Sequence, residues 1–299
     1  MPAADRLRLA LGDGGPDMGS ATLAVLAGPV GVVFAGVFGA LLGSFLNVCV
    51  HRLPRGESII RPRSRCPGCG HLIAWYDNVP LLSWLALGAR CRHCRAPISV
   101  QYPLVELAVA LVWAGAVAWR GPSLGALAAA VFVTLLLGMA LTDAQSYLIP
   151  DLFSVGGMVV GLVFTALPGG LAWWMGPLGA ALGYGLLWVV RWAGDAALRR
   201  GLIGGQELDA VLEEGEQPTT MGEGDLRMMA MVGAFLGPIG VVLTVFLGAL
   251  AGTLVFLPLR LLGRRIAIPF GVFLAAGAVA ALLVGEPLLA WYLRAALGR

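Results

Sequence analysis

Two pairs of thiols and a handful of carboxylates at the edges of apolar runs carry the reactive chemistry of this sequence. Cys66-Pro-Gly-Cys69 and Cys91-Arg-His-Cys94 are C-x-x-C pairs separated by 21 residues. A two-residue spacer lets both sulfurs of a turn face one ion, and a hairpin between the pairs brings them together, as a tetrahedral Zn2+ site requires. Gly68 and Gly70 permit the tight turns involved, and Arg65, Arg90 and Arg92 favour the thiolate form. The competing reading is redox, as two disulfides or a thioredoxin-like pair, but the βαβ pattern expected of the latter is absent. Four thiolates close the coordination sphere, so the expected metal is structural. Cys49, inside an apolar run, reads as a packed small hydrophobe.

Four acids abut or enter apolar runs: Glu106, Asp143, Asp151 and Asp225. An ionisable group there is costly and therefore a functional candidate. Asp143 ends the run Met139-Ala140-Leu141-Thr142-Asp143. Asp225 closes Gly222-Glu223-Gly224-Asp225, just ahead of another run. It can cap the helix that follows, yet Gly222 and Gly224 also allow close approach of another segment, which a cap does not need. Asp151, in Leu148-Ile149-Pro150-Asp151, caps a helix or supports the site. Glu106 reads either as an inward-facing structural acid or as a supporting group. Two carboxylates sharing a low-dielectric site cannot both ionise easily, so Asp143 and Asp225 together would hold one proton. One then acts as base toward water and the other as acid toward a carbonyl, which is the aspartic route to peptide hydrolysis.

These groups are positioned by membrane helices. The chain has 299 residues, of which 59% are apolar and 12% charged, and it carries 43 Gly. A soluble domain of this size needs about twice that charge, and a disordered chain more still. Glycine in that abundance suits close helix packing in a bilayer. The pattern predicts an all-α polytopic membrane protein of about eight transmembrane helices with a small cytoplasmic zinc-binding loop domain. A flexible tail covers 1–20, a first span 21–50 and the four-cysteine zinc-binding domain 51–102. A peptidase core follows over 103–285, with a polar loop at 191–225, and a tail at 286–299. Within the core the apolar runs are 103–119, 122–142, 152–168, 171–190, 226–261 and 266–285. Gly237-Pro238-Ile239-Gly240 reads as a turn that divides the fifth of these. Its first part, 226–237, is short against the roughly 20 residues a crossing needs.

All 20 basic residues are Arg, eight of them between His51 and Tyr102, which places that loop on the cytoplasmic side. The same threading puts Asp143 and Asp225 on one side. The net charge of +3 is too small and scattered to suggest a nucleic-acid partner. Without Lys a Ser–Lys protease is impossible, and the three His all lie within 51–93, which removes His-dependent intramembrane peptidases from the later spans. Elimination leaves the Asp pair as the peptidase chemistry, but does not show that the chain is a peptidase. A proton-coupled carrier with cation-binding Asp143 and Asp225 is one alternative; a non-enzymatic assembly scaffold docking a partner through a structural zinc loop is another.

The ensemble of segments is specific. Gly43-Ser44-Phe45-Leu46-Asn47-Val48, Arg52-Leu53-Pro54, the double C-x-x-C and the stretch Trp75 to Leu85 occur in order. They are followed by Tyr102-Pro103-Leu104-Val105-Glu106, Asp143 with Ile149-Pro150-Asp151, the G-x-G-D at 222–225, and Ile268-Pro269-Phe270-Gly271. Over about 38–280 the chain resembles the type IV prepilin peptidases of the bacterial inner membrane. The resemblance implies cleavage, at the cytoplasmic face, of a short basic leader after Gly, leaving a hydrophobic helix in the lipid. It implies Asp143 and Asp225 as the catalytic pair, with Gly222, Gly224, Arg227, Asp151 and Glu106 in support. Cys66, Cys69, Cys91 and Cys94 become zinc ligands. It further implies N-methylation of the new terminus with S-adenosylmethionine, although no Rossmann-type glycine fingerprint marks a place for that donor. Two departures stand out. Arg227 replaces the Lys common in the family, and the preceding stretch, about 202–220, is long and acidic (Glu207, Asp209, Glu213, Glu214, Glu216). Those acids form a solvated face or attract the positive leader.

Overall fold

The computed structural model describes residues 28–168, 171–202, 220–262 and 269–298. The acids Glu207, Asp209, Glu213, Glu214 and Glu216, the tail 1–20 and the start of the first span lie outside them. Among the described residues the regular elements are helices, with two isolated antiparallel bridges. We number the α-helices α1 (Pro29–Arg52), α2 (Leu82–Ala86), α3 (Gln101–Arg120), α4 (Leu124–Ser146), α5 (Asp151–Ala166), α6 (Met175–Arg199), α7 (Glu223–Leu261) and α8 (Phe270–Leu297). The apolar composition thus becomes helix, as it must where lipid offers backbone groups no partner.

By length and composition, α1 with the 3-10 turn after it, α3, α4, α7 and α8 can cross a membrane, and α5 is a shorter apolar helix. Helix α7 is not one rod. Gly237 sits at φ 69°, ψ −175°, outside helical space, and Pro238 follows it. On an unbroken helix Asp225 and Gly252 would stand about 40 Å apart. Yet a Cβ on Gly271 would lie 3.2 Å from Asp225 Oδ1, and one on Gly252 only 3.6 Å from the Phe273 ring. The chain therefore doubles back at Gly237, as its Gly-Pro step anticipates. The two halves, α7a before Gly237 and α7b after it, correspond to the two parts into which the Gly-Pro turn divides the run 226–261. At the C-terminus the expected tail at 286–299 is instead helix as far as Leu297, because Glu286 and Pro287 interrupt the apolar pattern without breaking α8. The polar stretch 191–225 is likewise shortened, since α6 continues to Arg199 and α7 starts at Glu223.

The chain divides into two compact units. One comprises the described part of 1–44 with 74–127. There α1 presents Gly39 and Gly43 to α3, and a Cβ on Gly43 would lie 2.7 Å from the Glu106 Cα. Phe38 and Trp113 meet edge to face at 5.0 Å.

The other unit comprises 45–73 with the described part of 128–299. Its centre is α7a, where Leu226, Met228, Met229, Met231, Val232 and Ala234 are all buried. A helix covered on every side packs best where its neighbours carry no side chains. Accordingly Gly183 lies against the Met229 carbonyl and Gly179 against Gly233. On another side Gly157 and Gly161 of α5 face Met231 and Phe235, each 2.7 Å from where a Cβ would stand. Gly248 of α7b packs on the Phe273 carbonyl of α8, and Gly277 of α8 on Gly248.

Candidate active site

Three helix ends converge in the second unit. Asp143 lies near the C-terminus of α4, which stops where Tyr147 turns to φ 55° and donates its N–H to the Asp143 carbonyl at 2.9 Å. Asp225 stands in the first turn of α7 and Gly271 in the first turn of α8. A Cβ on Gly271 would lie 2.5 Å from Asp143 Oδ2 and 3.2 Å from Asp225 Oδ1. The two oxygens can be no further apart than the sum of those lengths, so the structure brings the two candidate aspartates together.

Backbone amides orient both acids. Those of Gly271 and Val272 point at the Asp143 carboxylate, and that of Gly222 at Asp225. The α7 and α8 N-termini also direct their dipoles there, an arrangement that favours negative charge. The pair is unsymmetrical. Asp143 is buried, and its Oδ2 has no hydrogen-bond partner among the described residues; Asp225 is half-buried beside the exposed Gly222. A buried polar atom without a partner costs about 1–3 kcal/mol and calls for an explanation.

The supporting residues take distinct places. Gly224 is needed for close approach, since a Cβ there would sit 2.9 Å from the Ile149 Cβ. Asp151 is the first residue of α5, whose N-cap position is taken by Pro150. Its carboxylate instead pairs with Arg227, which reaches Glu223 Oε2 at 2.9 Å with its other arm. The cap reading of Asp151 therefore gives way to an ion pair joining α5 to the first turn of α7. Asp225 is no cap either, because α7 has already begun at Glu223.

Spacing alone did not signal two tethers. Asp195 of α6 accepts from the Thr220 amide at 2.8 Å and its hydroxyl at 2.9 Å, fixing the approach to the G-x-G-D turn. These bonds hold the Asp195 carboxyl below the usual carboxylate range. Gly271 is the second omission. It was visible only as part of Ile268-Pro269-Phe270-Gly271, with no charge or periodicity to mark it.

Glu106 has its partners in the first unit. Its Oε2 accepts from the Leu81 amide at 2.8 Å, and Ser44 is its side-chain neighbour. Leu81 is at φ 63°, ψ −51°, and Leu82 N–H bonds back to the Pro80 carbonyl at 2.6 Å, a left-handed γ-turn that non-glycine residues rarely adopt.

The two thiol pairs form matching knuckles. Cys66 N–H donates to the His71 carbonyl and Gly70 N–H to the Cys66 carbonyl; Cys91 N–H donates to Ala96 and Arg95 N–H to Cys91. Gly70 and Arg95, each just after the second cysteine, have φ of 70° and 60°. Each knuckle offers two thiols, and the four-cysteine donor set suits one ion with Zn–S distances of about 2.3 Å. Nearby, Asp77 and Arg92 make a two-point ion pair, and the guanidinium holds the Asp77 carboxyl below its ordinary range.

Comparison with known proteins bears on the whole of this arrangement. Residues 37–120 match the bacterial peptidase A24 N-terminal domain and residues 130–257 the type IV leader peptidase family. The chain belongs to the type IV leader peptidase family. It is 40% identical over 243 residues to a prepilin leader peptidase/N-methyltransferase of Myxococcus xanthus, covering 80% of this chain and 67% of that protein. A protein of the same name from Burkholderia pseudomallei is 36% identical over 301 residues, covering 89% and 90%. One from Pseudomonas aeruginosa is 35% identical over 292, covering 86% and 92%. No solved structure matches the chain. Both Asp143 and Asp225 fall within the segment matched by the leader peptidase family, and the four cysteines within that of the N-terminal domain. The chain is thus an α-helical membrane peptidase of this family, and the carrier and scaffold alternatives are not favoured.

Proposed function

We propose that this protein hydrolyses the peptide bond joining a short basic leader to the hydrophobic helix of type IV prepilins or pseudopilins, and then N-methylates the new terminus. The observation that carries the peptidase reading is the pair of carboxylates facing each other across Gly271. Asp225, the half-exposed member, takes a proton from water as the water oxygen attacks the scissile carbonyl carbon. Asp143 gives its proton to the carbonyl oxygen. Collapse of the tetrahedral diol breaks the C–N bond, and the leaving amine takes up a proton. The leader departs with a new carboxylate, and the amine remains on the membrane helix. Gly222, Gly224, Arg227 and Asp151 hold the turn that carries Asp225.

Cys66, Cys69, Cys91 and Cys94 would hold one Zn2+ in a closed structural site, which the donor set fits. S-adenosylmethionine supplies an electrophilic methyl group when bound. Among the described residues no strand exists to build a Rossmann-type glycine turn for it. The eight apolar helical segments, counting α7 as two, are read as the passes of an inner-membrane protein. The Arg-rich loop then puts the dyad at the cytoplasmic face. The acids of 202–220 remain candidates to attract the leader.

The test is cleavage of a prepilin by purified wild type, Asp143→Asn and Asp225→Asn, with mass spectrometry of the product terminus and methyl donor present. Wild type is expected to cut after the leader Gly and add a methyl group, while each folded, zinc-loaded variant leaves the substrate intact. Cleavage by both variants would refute the dyad.

A further inference from the structure

A groove of about 430 Å³ runs between α7b and α8, lined by Gly248, Ala249, Gly252, Thr253, Phe256 and Phe270 among others. Gly248 and Gly252 bring α7b close to α8 at Phe273, and the exposed Ala249 and Thr253, four residues apart, leave the open side of the groove small enough for another helix to approach closely in lipid. Its walls are aromatic, with Phe256 and Phe273 at 5.3 Å. Thr253 bonds its own helix through the Ala249 carbonyl, so it offers no free polar group to the groove. Only an apolar occupant fits such a surface.

What identifies the occupant is where the groove ends. Phe270 lines it, and the next residue, Gly271, separates the two carboxylates. On the proposed function, the scissile bond lies at the dyad and a hydrophobic helix begins just beyond it. That helix has to leave the dyad along a surface open to lipid. From Leu257 back to Ala249 the groove extends about 12 Å along α7b, enough for two turns of a bound helix.

We infer that the α7b–α8 groove is the docking surface for the first two turns of the substrate's hydrophobic helix, which it holds while the peptide bond ahead of it is cut. The inference rests on the proposed peptidase reading and is separable from it. Ala249 and Thr253 are exposed, so Ala249→Phe and Thr253→Phe fill the groove without disturbing a packed core. Each variant is compared with wild type on two substrates: a full prepilin, and a soluble peptide that spans the cleavage point but stops before the helix. The expected result is a rise in KM of about tenfold or more for the prepilin, with soluble-peptide cleavage unchanged. Equal effects on both substrates, or none on either, overturn the groove. If wild type cuts neither substrate, the peptidase reading itself fails. A second measurement does not depend on kinetics. A photo-crosslinking residue at Thr253 should capture the prepilin helix, whereas one at Leu254, exposed but outside the groove, should not. Capture of lipid alone, or of a second copy of this chain, at position 253 also overturns the assignment.

Discussion

Gly271→Ala is the sharpest probe of the dyad, because its two consequences have opposite signs. Gly271 lies in the first turn of α8, and alanine is the better helix former there by about 0.5–1 kcal/mol. Set against this, the new Cβ would stand 2.5 Å from Asp143 Oδ2 and 3.2 Å from Asp225 Oδ1, where Cβ contacts below 3.0 Å essentially never occur. Asp143 then has to retreat by about half an ångström or more, and overpacking of this kind costs about 1–3 kcal/mol. The two stability terms partly offset, leaving a net loss of about 0–2.5 kcal/mol, so the melting temperature should fall modestly at most. Catalysis has no such offset. A misplacement of about 1 Å in a reacting group lowers rates by roughly 100-fold, so a shift of half that size should cost between about 10- and 100-fold in kcat/KM, or about 1.4–2.7 kcal/mol. The assay is initial-rate cleavage of the soluble peptide beside a thermal melt. Gly115→Ala serves as control, since nothing lies within 4 Å of its Cβ position; it should leave activity untouched. A Gly271→Ala enzyme with wild-type kcat/KM would refute the claim that this glycine sets the spacing of the carboxylates.

Three further outcomes are expected. Gly179→Ala or Gly233→Ala drives a Cβ into the backbone of the facing helix, so either should destabilise the α6–α7 contact by about 3 kcal/mol or more, seen as loss of folded protein in detergent. Asp195→Asn should flatten the acid limb of stability. A carboxyl held below its ordinary range contributes stability above its unfolded pKa of about 3.9 and loses it as pH falls through the lower folded value. Wild type and variant should therefore converge at the acid end, as read by exchange of the Thr220 amide. Cys91→Ser or a strong chelator should remove one zinc per chain by elemental analysis while soluble-peptide cleavage continues, because neither Asp143 nor Asp225 is a ligand.

The helices were legible because apolar runs in lipid have one way to satisfy their backbone, and the hairpin at Gly237 because Gly-Pro punctuates the run. The knuckles were legible from spacing, and Asp143 with Asp225 from the cost of placing acids at span ends. What stayed hidden was pairing at long range. That Asp151 would meet Arg227 rather than cap α5, or that Asp195 would tether Thr220, depends on which helix ends adjoin, and no local pattern encodes that. Glu106 was visible as an anomaly, but its tie to the strained Leu81 was not, since Leu is the last residue from which a left-handed γ-turn is expected. Gly271 stood out only as the last residue of Ile268-Pro269-Phe270-Gly271; its place opposite two carboxylates had no local signal.

The reversal of α7 at Gly237 sets the depth of the proposed catalytic pair by the protein rather than by its surroundings. From Glu223 to Leu236 the helix rises about 21 Å, which is less than the roughly 30 Å hydrocarbon thickness of a typical bilayer. The half carrying Asp225 is thus a strut of fixed length, clamped through Gly179, Gly183 and Gly233 to its neighbours. A thicker or thinner membrane would be accommodated at the rim of the protein, by tilt or by local adjustment of the lipid, while the spacing of the two carboxylates is left as it is. Hydrophobic mismatch would then act on the substrate, by raising or lowering its helix past a cutting point that does not move.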